Sequence, residues 1–338
     1  MENFALYVFT VSLSALVASL CWPVLKRFAA PLLLDKPNNL KKHTSPVPAI
    51  GGPGIFCAIV LTLVVVRFTT DFPTGTLHSL RGILMGGALI FCLGILDDLR
   101  KPAGVPMKVK LCVQALAAAA LIYYGIHIKV IACPWISYPL TFLWLVGLTN
   151  AFNLLDIQDG LCVSQAVICA LGLVIITLPS EFIYVNFAAL ALLGACLAFW
   201  PHNHAQEKIF LGDSGSTFLG FMIAALSMGA GYSAHVDSGF LAPLFMLAVP
   251  LYDTFFVSLE RLLKGKNPLK GSDDHIALRL VRAGWSKRRV LGTFCAVGLA
   301  CNALGFVITK CSFPVAGILF AAAGLFFTWA TIQLHKCK

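Results

Sequence analysis

The stretch Asn150–Leu161, NAFNLLDIQDGL, closes a long apolar run and sets Asn150, Asn153, Asp156 and Asp159 along it. The first three are spaced three apart, so on a helix they fall within about 120° of arc, a polar stripe on an apolar rod. At the end of a membrane helix such groups are costly, and they usually face a cavity or a bound ion. Whether the rod lies in a membrane is answered by the rest of the chain.

The 338 residues are 59% hydrophobic and only 12% charged. A soluble domain carries about 25% charged residues, so a soluble fold is excluded on composition. Apolar stretches long enough to span a bilayer recur near 3–25, 48–68, 80–97, 107–127, 139–156, 160–178, 182–200, 214–232, 239–260, 290–309 and 313–334. The expected fold is an all-α polytopic integral membrane protein of ten or eleven transmembrane helices, in one membrane-embedded domain over 1–338. With eleven spans, 21 of the 25 lysines and arginines fall on one side; only Arg67, Arg81, Lys129 and Lys310 fall on the other. Positive loops stay inside, so the N-terminus is expected outside and the C-terminus in the cytoplasm. The cytoplasmic loops are then about 26–47, 98–107, 157–159, 201–213 and 261–289. The segment after Met-Glu-Asn lacks a positive leader and reads as a retained helix. Twelve scattered cysteines, without a CxxC pair, read as small helix residues. The net charge of +10 reflects topology, and no basic, aromatic-rich soluble module exists to bind nucleic acid.

Of 15 carboxylates, only Glu2, Asp71, Glu181 and Asp237 lie on the outer side, so chemistry is expected on the cytoplasmic face. Five features gather there. The loop DKPNNLKKHTSPVPAIGG (Asp35–Gly52) carries Lys42 and His43, which its prolines and glycines turn back toward the membrane; a solvated positive loop is the plain alternative. GILDDLRKPAG ends the third span on Asp97 and Asp98, two like charges at the negative end of a helix dipole, favourable mainly beside a cation or a lysine; ordinary helix-end acids neutralised by Arg100 and Lys101 are the plain alternative. The opening stripe with Asp159-Gly160 is the third feature. FLGDSGSTFLGF (Phe210–Phe221) sets Asp213 and Ser214 on a glycine-bounded turn before a helix: either a plain N-cap or an oxygen ligand for Mg²⁺. Last, Asp253 sits in an apolar run, where a cavity-facing or structural pairing role is expected. His275 and Arg279 follow it, four residues apart. Arg suits bidentate phosphate contact, although a lone His on a basic loop is usually incidental.

Together these put Asp97, Asp98, Asn153, Asp156, Asp159 and Asp213 beside Lys42, His43, Lys108, His275 and Arg279. Hard oxygen ligands select Mg²⁺ or Mn²⁺ over zinc, and basic groups balance a diphosphate. Phosphoryl transfer needs mainly positioning and charge neutralisation, which this set supplies. At the bilayer surface, one substrate is expected to be a lipid.

The ordered blocks DDLRK, NAFNLLDIQDGL, FLGDSGSTFLGF and VPLYD…DDHIALRL resemble the polyprenyl-phosphate N-acetylhexosamine-1-phosphate transferases, which include phospho-MurNAc-pentapeptide translocase. The resemblance implies transfer of a sugar phosphate from a UDP-sugar to undecaprenyl or another polyprenyl phosphate. The products are UMP and a lipid-diphosphate-sugar, and a cell-surface glycan is initiated at the inner (plasma) membrane. It implies Mg²⁺ (or Mn²⁺) held by Asn153 and Asp213, and catalytic roles for Asp97 and Asp98, near the acceptor phosphate, and for Asp156 and Asp159. It also implies substrate contacts by Lys42, His43, Lys108, Asn150, His275 and Arg279, the last two on the diphosphate- or sugar-facing loop. Membrane lipids are partners, and a homodimer is compatible. The chain departs from the family at Ala277 and Leu278, where relatives carry histidines or an SHRL-like sequence, and at Ile157 and Gln158. These changes bear on the donor sugar. Two further readings stand beside this one, the peptidoglycan translocase and a non-catalytic transporter or lipid-binding relative. A transporter would also line its midplane with polar groups.

Overall fold

The computed structural model describes residues 2–35, 46–70, 74–178, 183–204, 208–232, 236–267 and 274–336. Each of the eleven apolar stretches falls on helical structure. The helices are α1 (Glu2–Phe28), α2 (Gly51–Thr69), α3 (Thr74–Leu99), α4 (Met107–Tyr123), α5 (Pro134–Leu155), α6 (Leu161–Thr177), α7 (Ile183–His204), α8 (Gly212–Gly229), α9 (Ala242–Met246), α10 (Ala248–Leu263), α11 (Ile276–Arg282), α12 (Lys287–Ile308) and α13 (Phe313–Lys336). Among the described residues, seven are long and apolar enough to cross a membrane, or eight with α9–α10 as one broken span. In hydrocarbon every backbone polar group must be paired within the protein, which is why apolar sequence of this length folds as helix.

α8 is the axis of the bundle. Only Asp213, Met228 and Gly229 in it are not buried, and α2, α3, α5 and α6 all pack against it. Helix association in lipid rests on close packing of small residues, and α8 carries Gly212, Ser214, Gly215, Ser216, Gly220, Ala224 and Ala225. The partner helices answer in kind: a Cβ on Gly94 of α3 would lie 2.7 Å from Ser214 N and 2.9 Å from Asp213 O. α1 and α7 pair on one flank, and α12 closes the other against α6 and α9. α13 is peripheral, with Ala316 its one buried residue. Large apolar side chains such as Phe68, Trp135, Leu143, Ile318 and Leu325 point outward, as expected of a lipid-facing surface.

The span near 239–260 is broken. α9 and α10 meet at 64°, and the carbonyl of Met246 at the break is taken by Asn302 Nδ2 (3.3 Å) and Cys169 Sγ (3.4 Å). A non-helical carbonyl at this depth needs such partners. At the other end of the bundle two short strands, β1 (Leu34–Asp35) and β2 (Val47–Pro48), pair antiparallel, Leu34 with Pro48 and Asp35 with Val47. The chain after β2 runs beside residues 209–211: Phe210 N donates to Pro48 O, Gly51 N to Phe210 O and Gly52 N to Leu211 O, each at 2.9 Å. The loop before α2 is thereby fastened to the loop before α8.

The close crossing at Gly94 is testable. Gly94→Ala forces α3 and α8 apart and should cost about 1–3 kcal/mol, lowering the melting temperature of the detergent-solubilised protein. Gly147→Ala, where a Cβ meets no atom within 4 Å, should leave it unchanged.

Candidate active site

Asp97 and Asp98 end α3, where the helix dipole alone would repel them. Each is paired. Asp97 Oδ1 accepts the N–H of Val105 at 2.6 Å, and Lys110, on the first turns of α4, binds its Oδ2. Asp98 is buried against the start of α8: Oδ1 accepts from Asp213 N and Oδ2 from Ser214 N, both at 3.0 Å. Lys101 Nζ lies 2.7 Å from Asp98 Oδ1. The N-cap position of α8 is Leu211, which offers no side-chain cap. Asp98 therefore caps α8 from another helix, and the plain N-cap alternative for Asp213 or Ser214 is corrected. A glycine is required beside this contact, since Gly212 has φ +75° and a Cβ there would lie 2.7 Å from Asp98 Oδ2.

With α8 capped from α3, the Asp213 side chain turns to the site. Its Oδ1 lies 3.6 Å from Lys101 Nζ, and the charges of Asp97 and Asp213 act on one another. One turn along α8, Ser216 Oγ lies 2.7 Å from Asn153 Oδ1 on α5, which places Asn153 across from the Asp213 face. Asp156 caps the end of α5. Burial first, then the charge of Asp213, pushes its carboxyl up to about 7, with Lys101 acting against the rise and Asp98 and Asp159 adding to it. Burial works to lower the pKa of Lys101, but Asp213 and then Asp98 outweigh it, with Asp35 contributing, and hold the ammonium above the usual lysine range. The cluster thus sets Asp97, Asp98, Asp213 and Asp156 against Lys101 and Lys110, an excess of negative charge.

That excess bears on a metal. Among the described residues no three His, Cys, Asp or Glu side chains converge on a metal position. Mg²⁺ needs less: one or two carboxylates, with water and substrate phosphates completing its shell. Asp213 and Asn153 supply hard oxygen donors from adjacent helices, in surroundings short of positive charge, and they fit that requirement.

The turn after α5 is held from several sides. Asp159 Oδ2 pairs with Lys208 Nζ at 2.5 Å, Asn203 Oδ1 accepts Gly160 N at 2.5 Å, and Gln158 Nε2 donates to Lys287 O at 3.0 Å. Asn150, one turn before Asn153, points elsewhere, its Nδ2 donating to Val146 O (2.7 Å) and Gln114 Oε1 (3.2 Å) between α5 and α4. The expected stripe therefore divides, with Asn150 helping to pack helices and Asn153 and Asp156 at the site. His275 and Arg279 form a second group: His275 Nδ1 is 2.8 Å from Asp253 Oδ2, and Arg279 Nη2 is 2.5 Å from Glu260 Oε2. Asp253 has the structural pairing role open to it in the sequence. Lys108 is exposed on α4, and Lys42 and His43 lie outside the described residues.

Sequence reasoning missed Lys110, which takes the place beside Asp97, and Asp35, Lys208, Ser216 and Asn203. Asp35 opens the polar run DKPNN, Asn203 and Lys208 bracket the run NHAQEK and Ser216 lies within GDSGST, so polarity alone does not single them out. Lys110 lies in the first turn of an apolar helix, and Asp35 is the second residue of β1. Lys101 was read only as a neutralising neighbour, yet it stands between Asp98 and Asp213.

Residues 80–231, from α3 to just beyond α8, match the model of glycosyl transferase family 4. The chain is 32% identical over 286 residues to a probable undecaprenyl-phosphate N-acetylglucosaminyl 1-phosphate transferase of Bacillus subtilis, covering 81% of this chain and 77% of that protein. It is 29% identical over 287 residues to a decaprenyl-phosphate N-acetylglucosaminephosphotransferase of Mycobacterium tuberculosis (75% and 70%). It is 28% identical over 289 residues to an undecaprenyl-phosphate alpha-N-acetylglucosaminyl 1-phosphate transferase of Escherichia coli K12 (79% and 75%). With the motifs gathered at one end of the bundle and a likeness that runs over most of both chains, this protein belongs to the family 4 polyprenyl-phosphate N-acetylhexosamine-1-phosphate transferases.

Proposed function

We propose that this chain transfers N-acetylhexosamine 1-phosphate from a UDP-sugar to undecaprenyl or a similar polyprenyl phosphate, with release of UMP, as the opening step of a cell-surface glycan. The reaction takes place at the cytoplasmic face of the plasma membrane, in accord with the 21 to 4 division of basic residues. The observation that carries the reading is the cluster at the start of α8, where Lys101 lies against Asp98 and Asp213 and Lys110 against Asp97, with Asp156 feeling the charge of the same group.

Asn153 and Asp213 are the residues that would hold Mg²⁺ or Mn²⁺, which supplies neutralisation of the donor diphosphate. Lys101, protonated between Asp98 and Asp213, bridges those carboxylates and offsets their mutual repulsion. Asp97, steadied by Lys110 and Val105 N, orients the acceptor phosphate. A phosphate monoester has a second pKa near 6, so the acceptor is mostly dianionic at neutral pH and needs no strong base. One of its oxygens attacks the β-phosphorus of the donor directly; the new P–O bond forms as the bond to UMP breaks, and the UMP phosphate carries away the electron pair. Asp159, with Lys208, serves the donor side.

Three outcomes are expected. Purified wild type transfers label from UDP-GlcNAc, or another UDP-HexNAc, to undecaprenyl phosphate in the presence of Mg²⁺. Asp213→Asn loses about a hundredfold or more of that activity while its melting temperature holds. Equal product from the two proteins would remove Asp213 from the reaction. Asp98→Ala, by contrast, loses activity and stability together, with about 0.5–2 kcal/mol from the lost cap alone. Finally, donor labelled at the β-phosphate leaves no label on acid-quenched protein; labelled protein would establish a phospho-aspartate and double displacement.

A further inference from the structure

α10 carries Asp253 and Glu260 seven residues apart, two turns along one face, and both are buried. The segment that opens α11 returns against this face. Asp253 Oδ2 lies 2.8 Å from His275 Nδ1, and its Oδ1 accepts the N–H of Ile276 at 3.0 Å, capping α11. One turn on, Arg279 meets Glu260. α11 is thus seated on α10 by two polar rungs.

The second rung leaves Arg279 little to offer a ligand. A guanidinium has five N–H donors. Nη2 binds Glu260 Oε2 at 2.5 Å and lies 3.3 Å from Asp274 Oδ1. Nε donates to Asp274 O and Nη1 to Leu334 O, each at 3.2 Å. The guanidinium carbon sits 4.9 Å from the centroid of the Phe256 ring, and the residue is only 5% exposed. An incoming phosphate would have to displace Glu260 from a charge-assisted bond. Glu260 reaches further, its Oε1 lying 2.5 Å from His335 Nδ1 at the end of α13 and its Oε2 3.7 Å from Lys264 Nζ. The rung therefore joins α10, α11 and the C-terminal helix.

We propose that Arg279 and Glu260 are a positioning pair for the reaction: Arg279 serves the protein and not the donor diphosphate, holding α11 on α10 beside the equally buried His275–Asp253 pair. This rests on the transferase reading. Its distinguishing property is that the pair is replaceable as a unit. Replacing both charges with apolar side chains strands no buried charge: His335 and Lys264 are 55% and 42% exposed, and Asp274 keeps Lys264 at 2.6 Å. Removing Glu260 alone leaves a buried guanidinium without its principal partner, and that is the costly case.

The experiment compares Glu260→Leu, Arg279→Met and the double variant, full length in lipid nanodiscs, for donor KM, kcat and melting temperature. The double variant should recover most of the activity and stability that Glu260→Leu loses, with a donor KM within about threefold of wild type. A ligand role predicts otherwise: the double variant would match Arg279→Met, with donor KM raised about tenfold or more, the loss expected for a hydrogen bond to a charged group, and melting unaffected. That result would overturn the proposal. If the apolar pair does not fold, Glu260→Gln with Arg279→Gln keeps a neutral hydrogen-bonded rung and is read by the same criteria. A wild type that forms no lipid product fails the transferase reading instead. The melting series, which needs no substrate, then decides the pair, and Glu260→Leu melting no lower than the double variant sinks it.

Discussion

The carboxylate of Asp98 stands where three requirements of this fold meet. α8 is enclosed by other helices, so the N–H groups of its first turn cannot rely on water, and its own N-cap residue is a leucine. Asp98 takes two of those N–H groups. It can do so because glycines at 94 and 212 let α3 and α8 approach to backbone contact, and because Lys101 offsets a negative charge placed at the negative end of α3. The apposition of these helix ends brings Asp97 to Asp213 and leaves Asp213 free of a capping role.

The chemistry then follows from charge held in short supply. Carboxylates gathered at a membrane face would ordinarily be neutralised by pairing or by taking up protons. Here Lys101 lies against Asp98 and Asp213 and Lys110 against Asp97, and burial first, then the neighbouring carboxylates, raises the pKa of Asp156. Phosphoryl transfer asks chiefly for this kind of positioning and neutralisation. The α10–α11–α13 group is built differently, with each buried charge closely partnered, and it fits a scaffold better than a ligand cradle.

The likeness to family 4 is divided along the same line. The matched residues 80–231 span α3 to just beyond α8 and contain the carboxylate cluster, whereas α10 to α13 lie beyond them. The departures from the family motifs are absorbed by packing. Ala277 is fully buried where α11 meets the core, Ile157 packs against the core, and Gln158 bonds the first residue of α12.

Much of the helical architecture was legible in the chain, because hydropathy reports directly on the solvent each segment meets. The helical stretches and the family motifs follow from order and composition. The stripe at 150–159 could not be apportioned from spacing: Asn150 bonds Gln114 on α4 and Asn153 bonds Ser216 on α8, and only those neighbours decide which way each side chain turns. Asp98 as the cap of α8, Lys110 as the partner of Asp97, and Arg279 as a residue enclosed by the protein are likewise tertiary facts. Each depends on a hydrogen bond between segments far apart in sequence, and local spacing carries no information about which distant donor will meet a given carboxylate.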